Sequence, residues 1–213
     1  MNFLPAPEIL LAFTAASLLL ILTPGPDMTF FLGQTLTAGR ARGFAAMAGA
    51  CAGLVLHSML AAFGLSALLV ASATAFTAIK IAGAFYLLWL GIQAIRHGSA
   101  LTLKRGDGKS RRLGEVFVMG VGINLLNPKI VMFFLTFLPQ FVSAADPHAV
   151  SKLLFLGLFF TLLSIPTCAA LIFTAEQFTD AMRRSPRAMR IFDWSFASLM
   201  GAFAARLLFT RAN

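Results

Sequence analysis

Residues 43 to 79 of this chain hold one side chain that can carry charge near neutral pH, His57, and residues 9 to 39 hold only Asp27. A helix of about 20 apolar residues crosses a bilayer, so runs of this length predict membrane-spanning helices. Of 213 residues, 59% are hydrophobic and 12% charged, whereas a soluble domain carries about a quarter charged residues. Twenty-two Phe against one Tyr and two Trp suit lipid-facing and helix-packing surfaces. The chain reads as an integral membrane protein.

Two of the apolar stretches are broken near their middle by proline beside a charge. The first break is Pro24-Gly25-Pro26-Asp27 and the second is Asn124-Leu125-Leu126-Asn127-Pro128-Lys129. Proline has no N–H to donate, so Pro24 and Pro26 free carbonyls about four residues earlier, around Leu20 and Leu22. Gly25 gives the backbone room to turn, and Asp27 begins a new half-helix whose positive end it complements. In the second break Asn127 is biased away from helix by Pro128. Asn124 and Asn127 supply amide donors and acceptors, and Lys129 a cation. As one helix, residues 4 to 37 would be about 50 Å long, beyond a hydrocarbon core of about 30 Å. Each broken segment must tilt, kink or re-enter.

The remaining organisation follows from charge. Residues 98 to 112 form the clear loop, with Gly98, Gly106 and Gly108 among Lys104, Arg105, Lys109, Arg111 and Arg112. Residues 43 to 95 are too long for one span and are split at the weak turn Ala71-Ser72-Ala73-Thr74. The second half runs from Glu115 to Val142, Leu153 to Ala175 and about Phe192 to Phe209, the last with Arg206 inside it. The expected fold is therefore all-α, with six transmembrane helices. Residues 1–97 hold three, 98–113 form a basic cytoplasmic loop and 114–213 hold three more. An odd number per half, with Pro24 and Pro128 in matching places, predicts two inverted three-helix repeats, each opening on a Pro-broken helix. Discontinuous helices meeting near the midplane point to a transporter site. Beyond the breaks and the Phe-rich segments Thr29-Phe30-Phe31-Leu32 and Met132-Phe133-Phe134-Leu135, residue identity between the halves is poor.

The pI is near 10.8, yet the basic residues sit in membrane loops, so they predict topology and not nucleic-acid binding. Twelve of them fall on one side: Arg40, Arg42, Arg96, the five of the loop, and Arg183, Arg184, Arg187 and Arg190. The excess of Lys and Arg places that side in the cytoplasm and both termini outside it. Tyr86, Trp89 and Trp194 fit an interfacial belt, and Lys80 can snorkel outward. The N-terminus has no basic n-region, so its apolar run is expected to be a first span and not a cleaved signal.

A lone charge in hydrocarbon costs several kcal/mol, so Asp27 and Lys129 at similar depth are expected to pair, directly or through water. Such a site offers opposite charges to a zwitterion; equally, the pair fixes helix register. His57 reads either as a proton relay or as a neutral histidine bonded to a neighbouring helix. Gln34 either lines an inner vestibule or bonds between helices. Gly49 and Gly53 form a small-residue motif for close helix packing or for dimerisation, and Pro166 reads as a kink. Cys51 and Cys168 stand alone, with no disulfide or metal site implied. No paired carboxylates, His/Cys cluster or Gly-rich phosphate loop appears, so neither enzyme chemistry nor a cofactor is expected, and no ATP motif supports primary pumping.

Pro24-Gly25-Pro26-Asp27-Met28, Ala82-Gly83-Ala84-Phe85-Tyr86-Leu87-Leu88-Trp89-Leu90-Gly91 and Asn124-Leu125-Leu126-Asn127-Pro128-Lys129, with Phe133-Phe134-Leu135 and Leu138-Pro139-Gln140-Phe141, resemble the LysE/RhtB family of amino-acid exporters. The resemblance spans nearly the whole chain in order. It implies a secondary exporter of the bacterial inner membrane for amino acids or derivatives, coupled to protons. The Asp after Pro-Gly-Pro and the Asn-Pro-Lys motif look more like the homoserine/threonine-type branch. The implied site is Pro24, Gly25, Pro26, Asp27, Asn124, Asn127, Pro128 and Lys129, with Asp27 and His57 as candidate proton carriers. The implied partners are an amino acid, protons and lipid, with homo-oligomerisation left open; a small solute channel or a membrane enzyme is the competing class.

Overall fold

The computed structural model describes residues 5–65, nine helical positions between 78 and 96, 111–142 and 146–209. The expected turn at 71–74, Lys80, Tyr86 and residues 98–110 of the basic loop lie outside the described residues. Every described regular element is helical.

Both expected breaks are present. Helix α1 (Pro7–Leu22) stops before Pro24, and α2 (Pro26–Ala38) restarts with Pro26 as its first residue and Asp27 in its first turn. Proline suits that first position, because the N–H it lacks would have no partner there. The two halves meet at 53°. Helix α3 (Arg40–Met59) follows directly through Gly39, at φ 90°, and widens into a π-helical end, Leu60–Leu65. Helix α4 (Leu113–Leu125) ends before Pro128, which opens α5 (Pro128–Met132) at a bend of 50°. Helix α5 runs on through a π-turn, Phe133–Phe137, and a 3₁₀ turn, Leu138–Phe141.

Helix α6 (Ala149–Phe173) contains Pro166. Among the described residues, α6 and residues 40–64 are long and apolar enough to cross a membrane, and the two bent pairs bring the number to four. Helix α8 (Pro186–Phe209) has the length but carries Arg187, Arg190, Asp193 and Arg206. Leu11, Val118, Leu126, Leu162 and Phe173 are exposed, as side chains that face lipid would be.

Residues 176 to 191, read above as a basic loop, differ from expectation. They form helix α7 (Ala175–Arg184) and the first turns of α8. Glu176 in the first turn of α7 complements the helix dipole. Pro186 then opens α8.

Helix α3 packs most closely on α4. A Cβ on Gly49 would lie 2.1 Å from the Phe117 carbonyl oxygen, and one on Gly120 2.4 Å from that of Ala46. The small-residue motif is thus used inside this chain, where bare glycine lets two backbones touch. Below one end of this pair lies an aromatic core in which Phe13 meets Phe133, Phe137 and Phe141 at ring-centroid distances of 6.1, 6.0 and 5.2 Å. Phe133 also meets Phe160 at 4.4 Å. Lys152 forms an ion pair with Asp146, in the segment before α6.

Candidate functional site

The prolines explain the site from the backbone up. Pro24 cannot donate to the Leu20 carbonyl, and Pro128 cannot donate to that of Asn124. Each freed carbonyl is taken by a side chain from elsewhere in the chain. Lys129 Nζ donates to the Leu20 carbonyl at 3.2 Å and to that of Thr23 at 2.8 Å. His57 Nε2 lies 3.4 Å from the Asn124 carbonyl. Because a carbonyl only accepts, the imidazole is the donor there. The Asn127 backbone N–H donates to the same oxygen at 3.0 Å.

Asp27 is held in a complementary way. Asn124 Nδ2 donates to Asp27 Oδ2 at 2.8 Å, joining α4 to the first turn of α2. Asn127 caps α5 by accepting from the Lys129 backbone N–H at 3.1 Å. Asp27 and Lys129 do not form an ion pair within 4.0 Å, although both line one cavity. Of the two forms of pairing expected, direct or through water, the direct contact is absent. The negative end of α1 balances the ammonium, while the positive end of α2 and the Asn124 amide balance the carboxylate.

Gly25 also differs from expectation. Its backbone is extended, φ −159° and ψ −179°, which any residue can adopt. What it supplies is space: a Cβ there would lie 3.0 Å from Lys129 Nζ and 3.2 Å from Cε. Gly53 plays the same part for Asn124, since its Cβ would lie 2.5 Å from Asn124 Oδ1.

The cavity between α1, α2, α3, α4, α5 and α6 has a volume of about 50 Å³. At ~10–15 Å³ per water, this is room for roughly three to five waters. Asp27, Asn124 and Lys129 provide its charged and amide groups, and Leu20, Met28 and Phe31 part of its apolar wall. Three buried polar atoms at the junction have no hydrogen-bond partner: Asp27 Oδ1, Asn124 Oδ1 and Asn127 Nδ2.

Of the residues singled out in the sequence, Asp27, Asn124 and Lys129 line the cavity, and Asn127 and His57 are buried one bond behind it. His57 stacks on Phe134 at 5.4 Å. Pro24 is buried, whereas Pro26 and Pro128 are exposed; they shape the breaks and do not face the cavity. Gln34 is absent from the lining. Cys51, Cys168 and Ser164 do line it. Sequence spacing could have signalled Cys51 and Leu54, which share a helix face with His57. Among the described residues no group of His, Cys, Asp and Glu could hold a metal ion.

A family model described as LysE type translocator matches residues 18–211. The homoserine/homoserine lactone efflux protein of Salmonella typhimurium (strain LT2) is 30% identical over 200 residues, 94% of this chain and 96% of that protein. Its counterpart in Salmonella typhi shows the same 30% identity and the same coverage, 94% and 96%. An uncharacterized membrane protein of Vibrio cholerae serotype O1 is 35% identical over 140 residues, 65% of this chain and 67% of that protein. No solved structure matches. This chain, a helical membrane protein with its polar groups gathered at two broken helices, belongs to the LysE type translocator family.

Proposed function

We propose that the chain is a secondary exporter of small amino acids or their derivatives, with homoserine as first candidate. The observation that carries this reading is the set of buried polar atoms without partners where the breaks meet. Asp27 Oδ1 and Asn124 Oδ1 are acceptors, and Asn127 Nδ2 is a donor. Two bonds to carbonyls leave the Lys129 ammonium a third N–H. Two acceptors and two donors within one junction complement a zwitterion: its ammonium toward Asp27 and Asn124, its carboxylate toward Asn127 and Lys129. Leaving such groups unpaired costs about 1–3 kcal/mol each, so a solute that satisfies them is bound in place of its hydration shell. Room for roughly three to five waters is about 90–150 Å³ of liquid, which suits an amino acid with a short side chain.

In this reading the two halves are inverted three-helix repeats in a bacterial inner membrane, with both termini outside the cytoplasm. They rock about the breaks to expose the cavity alternately. Asp27 carries the coupling proton: protonated, it releases the substrate ammonium; ionised, it receives it.

Counterflow of labelled homoserine in proteoliposomes tests the carrier, because a channel gives no saturable counterflow. An imposed pH gradient should drive net transport in the wild type and not in Asp27→Asn. Unchanged gradient-driven transport in that variant would remove Asp27 from the coupling.

A further inference from the structure

We infer that the end of α1 is a monovalent-cation site which the chain fills with its own ammonium, Lys129. Broken membrane helices elsewhere present unwound carbonyls and half-helix C-terminal ends to alkali ions. The same parts are assembled here. The Leu20 carbonyl is freed by Pro24, and the Thr23 carbonyl lies just past the last turn of α1. Both point at one position, occupied by Lys129 Nζ at 3.2 and 2.8 Å. The partial negative charge of the helix end adds to theirs, and Asp27 lies on the same cavity wall.

Gly25 keeps the position open. A Cβ there would stand 3.0 Å from Nζ, closer than ordinary van der Waals contact. The ammonium reaches across from the other half of the chain, 109 and 106 residues from the carbonyls it bonds. A tethered cation of this kind needs no ion from solution, so transport requires no alkali ion at this position. Removing the tether leaves a vacant oxygen cradle sized for ammonium, methylammonium or potassium. The inference concerns the cation site and holds whichever solute the cavity carries.

The test is the thermal stability of purified Lys129→Ala in choline, sodium, potassium, ammonium and methylammonium chloride. In choline the variant should melt below the wild type. Ammonium-sized cations at a 100-fold excess over their dissociation constant should recover roughly 5–10 °C. The wild type should respond to none of them, and Lys129→Met, whose apolar chain fills the same space, should be destabilised without recovery. A folded Lys129→Ala that melts alike in every salt overturns the inference. If Lys129→Ala cannot be purified in choline, it is extracted with methylammonium present. Recovery of folded protein then supports the site, and failure in every cation refutes it. Homoserine counterflow is a separate readout: a stability response without counterflow in the wild type would retain the cation site and remove the amino-acid reading.

Discussion

Gly53→Ala is the most pointed perturbation of the junction, because it adds one methyl group and changes no charge. The new Cβ would lie 2.5 Å from Asn124 Oδ1, 2.8 Å from its Cβ and 2.9 Å from its Cγ, against an ordinary contact of 3.4 Å or more. Oδ1 must therefore retreat by about 0.9 Å, the difference between 3.4 and 2.5 Å. Rotation of the amide cannot relieve the contact at the Asn124 Cβ, so α3 and α4 must also part. A shift of that size takes the 2.8 Å bond from Asn124 to Asp27 beyond hydrogen-bonding distance. Overpacking costs about 1–3 kcal/mol, and a hydrogen bond to a charged group is worth about 1.5–3. Both arise from one displacement, so they overlap, and a loss of about 2–4 kcal/mol is expected. For a chain of this size that lowers the melting temperature by roughly 5–15 °C. Homoserine counterflow should fall by about two orders of magnitude, as it does when a reacting group is misplaced by about 1 Å.

The assay is a double-mutant cycle with Asn124→Ala, read by melting temperature in detergent and by counterflow. Asn124→Ala deletes Oδ1 and Cγ and leaves only the Cβ contact at 2.8 Å. Gly53→Ala should then cost at least about 1 kcal/mol less in that background than in the wild type, within the range seen for touching residues. Strict additivity would refute the argument that Gly53 acts through Asn124. A Gly53→Ala protein that melts and transports like the wild type would refute the packing argument itself.

The other expectations are shorter. Gly49→Ala drives a methyl group to 2.1 Å from a backbone oxygen, which cannot yield as a side chain can, so its melting temperature should fall further than that of Gly53→Ala. Gly122→Ala meets nothing within 4 Å and should be neutral or gain about 0.5–1 kcal/mol from the loss of glycine's backbone entropy. His57→Gln keeps a donor for the Asn124 carbonyl and should retain the pH profile of transport. His57→Leu leaves that carbonyl with the Asn127 N–H alone and should cost about 1 kcal/mol; an altered profile in the Gln variant would instead make His57 a proton carrier. Cys51 and Cys168, the two cysteines of the chain, both line the cavity. A small thiol reagent should modify them more slowly with homoserine bound, and an equal rate would place the solute elsewhere.

The breaks were legible because proline acts locally: Pro24, Pro26 and Pro128 mark the half-helix boundaries with little help from the rest of the chain. The groups that hold each charge were not. Treating Asp27 and Lys129 as isolated charges leaves out the partial charges of the half-helix ends, which exist only once the breaks form. Gly25 was misread for a related reason. Its role depends on a lysine 104 positions away, and local turn chemistry carries no trace of it. Helix α7 was hidden by Arg183 and Arg184, which serve equally as loop charges and as the basic last turn of a short helix. Cys51 and Cys168 are 117 positions apart and meet only through the packing of α3 and α6 around one cavity.

Both breaks thus leave a carbonyl without its helical partner, and each takes a side-chain donor from outside its own broken helix. Lys129, from the second break, completes the first; Asn124, whose own carbonyl depends on His57, holds Asp27 of the first. Any motion that separates α1 and α2 from α4 and α5 must break the Asn124–Asp27 bond and the Lys129–carbonyl bonds together. The cavity has room for only a few waters to replace them, so the empty protein has a steep barrier between its two states. A bound zwitterion changes that balance if its ammonium can stand in at Asp27 and its carboxylate at Lys129 while the helices part. A ligand shifts such an equilibrium only by its differential affinity for the two states. The proposed exporter therefore requires substrate contacts to be tightest at the point where the two breaks have let go of each other. An uncharged analogue that fits the cavity should consequently bind and block it without being carried, which competition against homoserine counterflow would show; transport of that analogue at the homoserine rate would refute the coupling.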